Sequence, residues 1–374
     1  MIYVVLLLSL LLIYRSFRRY DQLLNPFTLE GYYAILFLII PQICRIIWLG
    51  EKNYIWSDIV ILTSLLSIYL GASINLKAFK VLSVKNVKVS VVSLCCVAIL
   101  LISFTIPILL NCGISFTGIR CYYETVVFTK YASFYDIAKK LIEVSVIFLL
   151  VKHCKLKWYS IVLILLLVFS GNKFAVLNII IIMVLFFQEY LQIKVKKIIL
   201  LAGCAFILLV IFHFATQTRT EGSVWYNAIL YFDIYNNQSF LIQKLIEGDH
   251  SFYKGEIYFS SLYKYIPRII WEGKPYNYGF AILNYEFFPE WAKAGYTPSF
   301  GLGTSFADFG LVSIIIFGFV AGFIRNFFYR SFLKSNKNNV SFFLYLYTFD
   351  VVMLLILFIV VTINHFAERN ENSS

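Results

Sequence analysis

Charge is what this chain has least of. Only 14% of its 374 residues are Asp, Glu, Lys or Arg, against 60% that are hydrophobic. A soluble protein of this length needs far more charge to cover its surface, so a water-soluble globular enzyme is excluded. The 7 cysteines contain no C-x-x-C pair and no His partner at ligand spacing, which argues against a metal site. Soluble nucleotide-handling signatures are missing too: there is no G-x-x-x-x-G-K-[ST], no G-x-G-x-x-G and no H-E-x-x-H. Nor is there a D-x-D pair of the kind that holds a divalent ion against a nucleotide diphosphate. Energy from ATP or a sugar nucleotide is therefore not indicated, and no cofactor or metal is expected. Internal repeats, heptad runs and low-complexity tracts are likewise absent.

What is abundant is apolar and aromatic. Aromatics reach 19%, and Tyr and Trp favour the headgroup zone of a bilayer. The net charge of +12 comes from Lys and Arg in short clusters between apolar runs. That pattern marks topology and does not suggest nucleic acid as a partner. With about 20 apolar residues per crossing, the chain reads as an all-α polytopic membrane protein of about ten transmembrane helices. The first run, Met1 to Tyr14, is short like a signal-peptide core. It has no basic segment before it and no A-x-A site after it, so it is expected to stay in the membrane. The other spans are placed near Gly31 to Leu49, Trp56 to Asn75, Val89 to Leu110, Phe134 to Val151, Trp158 to Phe169, Phe174 to Leu191, Ile198 to Ala215, Leu311 to Phe328 and Val340 to Ile363. The basic clusters fall on alternate connections, which puts the N-terminus and the long 217–298 segment on the outer face. The organisation expected is thus a transmembrane bundle of eight spans over 1–216, a large outer loop over 217–298, and a hairpin with a polar tail over 299–374. Cys112 and Cys121 share a smaller outer loop, where a local disulfide and two free thiols remain equal alternatives.

The long loop is too polar and too aromatic for a mere connector. Its centre reads Tyr265-Ile-Pro-Arg-Ile-Ile-Trp-Glu-Gly-Lys-Pro-Tyr-Asn-Tyr-Gly279. Arg219, Arg268 and Lys274 lie in it, Arg120 lies in the smaller loop, and Lys173 sits at a break between two short spans where a helix begins. Cations gathered at a bilayer surface can grip phosphate oxygens, Arg bidentately; singly, each is equally a snorkelling anchor. Tyr258, Phe259, Leu262, Tyr263 and Ile266 recur at helical spacing and predict a helix lying in the membrane interface. Candidate bases are Asp233, Glu247, Asp249, His250, Glu256, Glu272 and Glu286, among which His250 has the ordinary pKa best suited to neutral work. Sequence alone does not choose among them.

Several strings resemble the O-antigen polymerase family, known as Wzy: Gly255-Glu-Ile-Tyr258, Ile266-Pro-Arg-Ile-Ile-Trp271 with Lys274-Pro275, Thr297-Pro-Ser299 and Gly303-Thr-Ser-Phe-Ala-Asp-Phe-Gly310. Asn25-Pro-Phe27, the mid-chain Ser170-Gly-Asn-Lys173 and the Arg268 to Gly279 spacing are similar to that family as well. The chain departs from it at Lys173, where Arg is usual, and at Thr304 and Asp308, where Glu and Asn are common. The resemblance implies a GT-C-like membrane enzyme of the bacterial inner membrane with a periplasmic active face. It implies a glycosyltransferase that moves a growing glycan from undecaprenyl pyrophosphate onto an incoming lipid-linked repeat unit, alongside a chain-length regulator protein and membrane lipid. Under it, His250, Arg268 and Arg219 are expected in catalysis, and Lys173, Arg120, Lys274, Tyr265, Trp271 and Gly279 in substrate binding. An O-antigen ligase and a lipid-linked oligosaccharide flippase are the alternatives. The central parts of the second, third, fourth and tenth spans are nearly free of the mid-span polar residues that a transporter cavity requires.

Overall fold

The computed structural model describes residues 1–81, 132–169, 173–201, 203–204, 234–266, 270–293, 298–351, 353–359 and 361–362. Among them there is no strand. The helices are α1 (Ile2–Tyr20), α2 (Thr28–Leu49), α3 (Ile55–Ala72), α4 (Ala132–His153), α5 (Trp158–Phe169), α6 (Lys173–Glu189), α7 (Ile234–Ile246), α8 (Glu256–Ser261), α9 (Phe280–Phe287), α10 (Pro289–Lys293), α11 (Gly303–Phe309), α12 (Leu311–Lys334) and α13 (Asn339–Leu346). Among the described residues α2, α3 and α12 are long and apolar enough to cross a membrane, and they coincide with the expected second, third and ninth spans.

The chain divides into two compact units. The first comprises Met1–Asp21, Asn25–Asn75 and Gly222–Asn326; the second comprises Gln22–Leu24, Leu76–Glu221 and Phe327–Ser374.

In the first unit α1 packs on α2 and α3. It runs six residues beyond the expected end at Tyr14, through Arg15, Arg18 and Arg19 to Tyr20. Long basic side chains can snorkel to water, so a helix need not stop where its apolar run does. Asn25-Pro-Phe27 builds the start of α2. The Asn25 side-chain oxygen accepts from the backbone N–H of Phe27 and of Thr28, both at 3.1 Å, and from the Ser16 hydroxyl at 2.7 Å. The Thr28 hydroxyl accepts in return from the Asn25 N–H at 2.9 Å, a reciprocal cap on orphan donors. Within α2, residues Ile35–Ile39 widen into a π turn. Pro41 follows, and a wider turn accommodates its missing N–H and its ring. α3 meets α12 at backbone contact. A methyl built on Gly322 would lie 2.0 Å from the Ile68 carbonyl oxygen, and one on Gly71 would lie 2.0 Å from that of Phe319. Small residues allow this approach, which replaces the hydrophobic drive that lipid removes.

In the second unit the charged half of α4 meets a break in the last apolar segment. The sequence leads one to expect a continuous span from Val340 to Ile363; the structure corrects this, ending α13 at Leu346 and resuming helix only after the Tyr347–Asp350 stretch. Lys140 pairs with Asp350 at 2.8 Å, and the Tyr347 hydroxyl donates to Glu143 at 2.7 Å. The partners of Lys140 and Glu143 thus come from this break, because a buried charge needs a facing group. α4, α5 and α6 pack together where spans five to seven were expected. The fourth span, most of the eighth, Cys112 and Cys121 lie outside the described residues.

Candidate functional site

The site is assembled from α7 to α11, all in the first unit. α7 presents Tyr235, Gln238, Leu241, Ile242 and Leu245 inward, a helical-period stripe. Leu241, Ile242 and Leu245 of that stripe join Ile257, Leu283, Phe300 and Phe306 in one apolar cluster. The start of α7 is tied to the α2–α3 connection. The Tyr235 hydroxyl donates to Asp58 at 2.8 Å, and Glu51 holds Arg45 through 2.6 and 2.7 Å bonds while accepting from Asn236 at 3.1 Å. The Arg45 hydrogen bond keeps the Glu51 carboxyl below its usual range.

Asp308 is the keystone of the segment. Its side chain is fully buried and its two oxygens accept three backbone donors at the head of α8. Gly255 and Ile257 donate to Oδ1 at 3.0 and 3.1 Å, and Tyr258 donates to Oδ2 at 2.9 Å. The Lys254 N–H also donates to the Asp308 carbonyl at 3.0 Å, and the Tyr258 hydroxyl bonds Ser305 at 2.5 Å. A carboxylate satisfies orphan helix N–H groups and complements the dipole end. The strings Gly255–Tyr258 and Gly303–Gly310, some fifty residues apart in sequence, therefore meet through one side chain.

The candidate bases sort by partner. Glu247 accepts from Gln243 at 2.6 Å. Asp249 is taken by Lys244 at 2.5 Å, a bond that holds its carboxyl below the usual range. Glu256 and Glu272 are exposed. His250 and Glu286 face each other, Nδ1 to Oε1, at 3.1 Å. The other oxygen of Glu286 accepts a short hydrogen bond from the Tyr253 hydroxyl, whose pKa is pushed up by burial and by that carboxylate. The His250 and Phe287 rings meet edge to face with their centres 4.8 Å apart. Sequence reasoning named His250 and Glu286 singly. Their pairing, and Tyr253 with them, was missed because 36 positions separate the partners. Asp308 was legible as a lone carboxylate inside a motif, but its role was not.

The remaining candidates spread along the Ile266–Gly279 stretch and beyond. Lys274 is buried; its ammonium donates to the Ile266 carbonyl at 3.1 Å and lies 4.7 Å from the centre of the Tyr278 ring. Trp271 meets Tyr263 edge to face at 4.9 Å. Tyr265 ends the single 3-10 turn Leu262–Tyr265 that continues α8. Gly279 adopts φ 60°, and its N–H donates to the Ser260 hydroxyl at 2.8 Å. A side chain there would be strained and would crowd the Ser261 oxygen at 2.7 Å. Lys173 is the first residue of α6. Arg120, Arg219, Asp233 and Arg268 lie outside the described residues.

The chain is 32% identical over 185 residues to the O-antigen polymerase of Salmonella typhimurium (strain LT2), a match covering 47% of this chain and 44% of that protein. Its likeness is to O-antigen polymerases. The same name and the same figures apply to a protein of Salmonella typhi. The chain thus spans less than half the length of the curated relatives it matches. No family model and no solved structure matches it. The Wzy-like strings of the sequence therefore agree with a similarity over 185 residues to proteins of that name.

Proposed function

We propose that this chain is a surface-polysaccharide polymerase. It would transfer a growing glycan from undecaprenyl pyrophosphate to an incoming lipid-linked repeat unit at the periplasmic face of the bacterial inner membrane. The observation that carries this reading is the 32% identity to two O-antigen polymerases. The joining of two family-like strings by Asp308 supports it. In the reaction, the acceptor hydroxyl attacks C1 of the donor sugar as a base takes its proton, and the bond from C1 to the diphosphate oxygen breaks with the electron pair leaving on the diphosphate. Diphosphate is already a good leaving group, so the protein has three tasks: cations for the departing charge, a base, and alignment of two lipid-linked substrates. Arg268 and Arg219, with Lys173, are assigned to the charge and His250 to the proton. Lys274 donates to the carbonyl of Ile266, which stands two residues before Arg268 in the sequence.

The test is complementation of a deletion strain, read as the length distribution of surface glycan. The wild-type chain restores a ladder. Arg268→Ala reaches the membrane at wild-type level and leaves cores capped by single repeat units. Normal chain lengths would remove Arg268 from the mechanism, and cores lacking any repeat unit in the deletion strain would make the chain a ligase.

A further inference from the structure

Among the described acidic residues of the outer segment, Glu286 is distinguished by having both oxygens engaged by groups that bear on proton transfer. Oε1 faces His250 Nδ1 at 3.1 Å, and Oε2 accepts from the Tyr253 hydroxyl. A carboxylate offers no proton, so the Nδ1 side of that contact must donate. In a neutral imidazole this leaves Nε2 as the lone-pair nitrogen. We propose that Glu286 is a positioning residue, which fixes His250 in the Nδ1–H tautomer and presents Nε2 to the acceptor hydroxyl. The inference rests on the reading of His250 as the base.

The surroundings are built for that geometry. The His250 N–H donates to the Lys244 carbonyl at 3.2 Å, which seats the residue on the end of α7. The Tyr253 N–H donates to the Ala307 carbonyl at 3.0 Å, so the second partner of Glu286 is held by α11. Phe287, one residue after Glu286, flanks the imidazole. The charged groups on the elements around His250 are Glu286 from α9, Lys244 from α7, and Glu247 and Asp249 just beyond it. Asp249 turns to Lys244 and Glu247 to Gln243, leaving Glu286 as the carboxylate at Nδ1. The His250 and Glu286 side chains are each 37% exposed, so the pair is open to a substrate. The proton that leaves the acceptor oxygen as its bond to C1 forms would pass to Nε2, and Glu286 would steady the imidazolium without itself taking the proton.

The experiment uses the full chain in lipid nanodiscs, labelled with nitrogen-15 at its 4 histidines. The substrate is the lipid-linked repeat unit extracted from the deletion strain. Wild-type His250 is expected as the Nδ1–H tautomer. In Glu286→Gln the carboxamide can donate to Nδ1, so the tautomer shifts toward Nε2–H. Transfer then slows at least about tenfold, a part of the roughly hundredfold or more that general-base catalysis supplies. Glu286→Asp, which keeps the charge, recovers part of the rate. An unchanged His250 tautomer in Glu286→Gln would overturn the inference while leaving His250 as base. Normal transfer by His250→Gln would overturn the reading beneath it.

Discussion

Replacing Asp308 removes three hydrogen bonds at once, and the structure sets the scale of the loss. Each backbone donor at Gly255, Ile257 and Tyr258 is bonded to a charged acceptor in a site closed to solvent, and such bonds contribute about 1.5–3 kcal/mol each. Asp308→Ala orphans all of them and is expected to cost about 4 kcal/mol or more, the lower end allowing for water entering the vacated space. Asp308→Asn keeps one acceptor oxygen. If that oxygen serves Gly255 and Ile257, the amide group confronts the Tyr258 N–H, for a loss of about 2 kcal/mol. Amide hydrogen exchange of the nanodisc-embedded protein reads the effect directly. Protection at the head of α8 should fall by about a thousandfold in Asp308→Ala and by about thirtyfold in Asp308→Asn, at roughly 1.4 kcal/mol per factor of ten. Glycan chains in the complemented strain should shorten in the same order. Wild-type protection of those amides in Asp308→Ala would refute the reasoning, because the turn would then be held without the Asp308 carboxylate.

Two further outcomes follow from packing and charge. Gly322→Ala places a methyl 2.0 Å from the Ile68 carbonyl oxygen, and restoring an ordinary closest approach near 3.0 Å parts α3 and α12 by about 1 Å. A loss of about 1–3 kcal/mol is expected, read as a lower melting temperature than that of Gly203→Ala, where nothing stands within 4 Å of the new methyl; equal melting of the two variants would contradict the contact. Glu51 has its carboxyl pKa depressed by Arg45, so its stabilisation is present above the ordinary value of 4.5 and is lost as pH falls through the lower folded-state value. Thermal stability should therefore drop on acidification below that range, and the Glu51→Gln protein should show a flatter response over the same pH interval.

Much of the architecture could be read along the chain. Apolar runs of crossing length located α2, α3 and α12, though α12 continues six residues past the expected end at Phe328, since burying a helix in lipid depends on a local sum over about twenty neighbours. Short runs gave α5 and α6 for the same reason. The break at Tyr347–Asp350 was hidden, because the flanking residues are apolar enough to continue. What opens the helix there is a pair of partners on α4 more than two hundred positions away. Asn25-Pro-Phe27, met as a family-like string, proves to be the cap of α2.

The sequence by itself determined the class of protein, the position of its long apolar helices and the residue types available in the 217–298 segment. Tertiary structure alone decided which residues meet: Asp308 with the head of α8, Glu286 with His250 and Tyr253, Glu51 with Arg45 and Asn236. The division has a physical cause. Hydrophobic transfer into a bilayer is additive over neighbouring residues and leaves its record in local composition, whereas a hydrogen bond needs two groups within about 3 Å and in line, a condition set by the packing of whole helices.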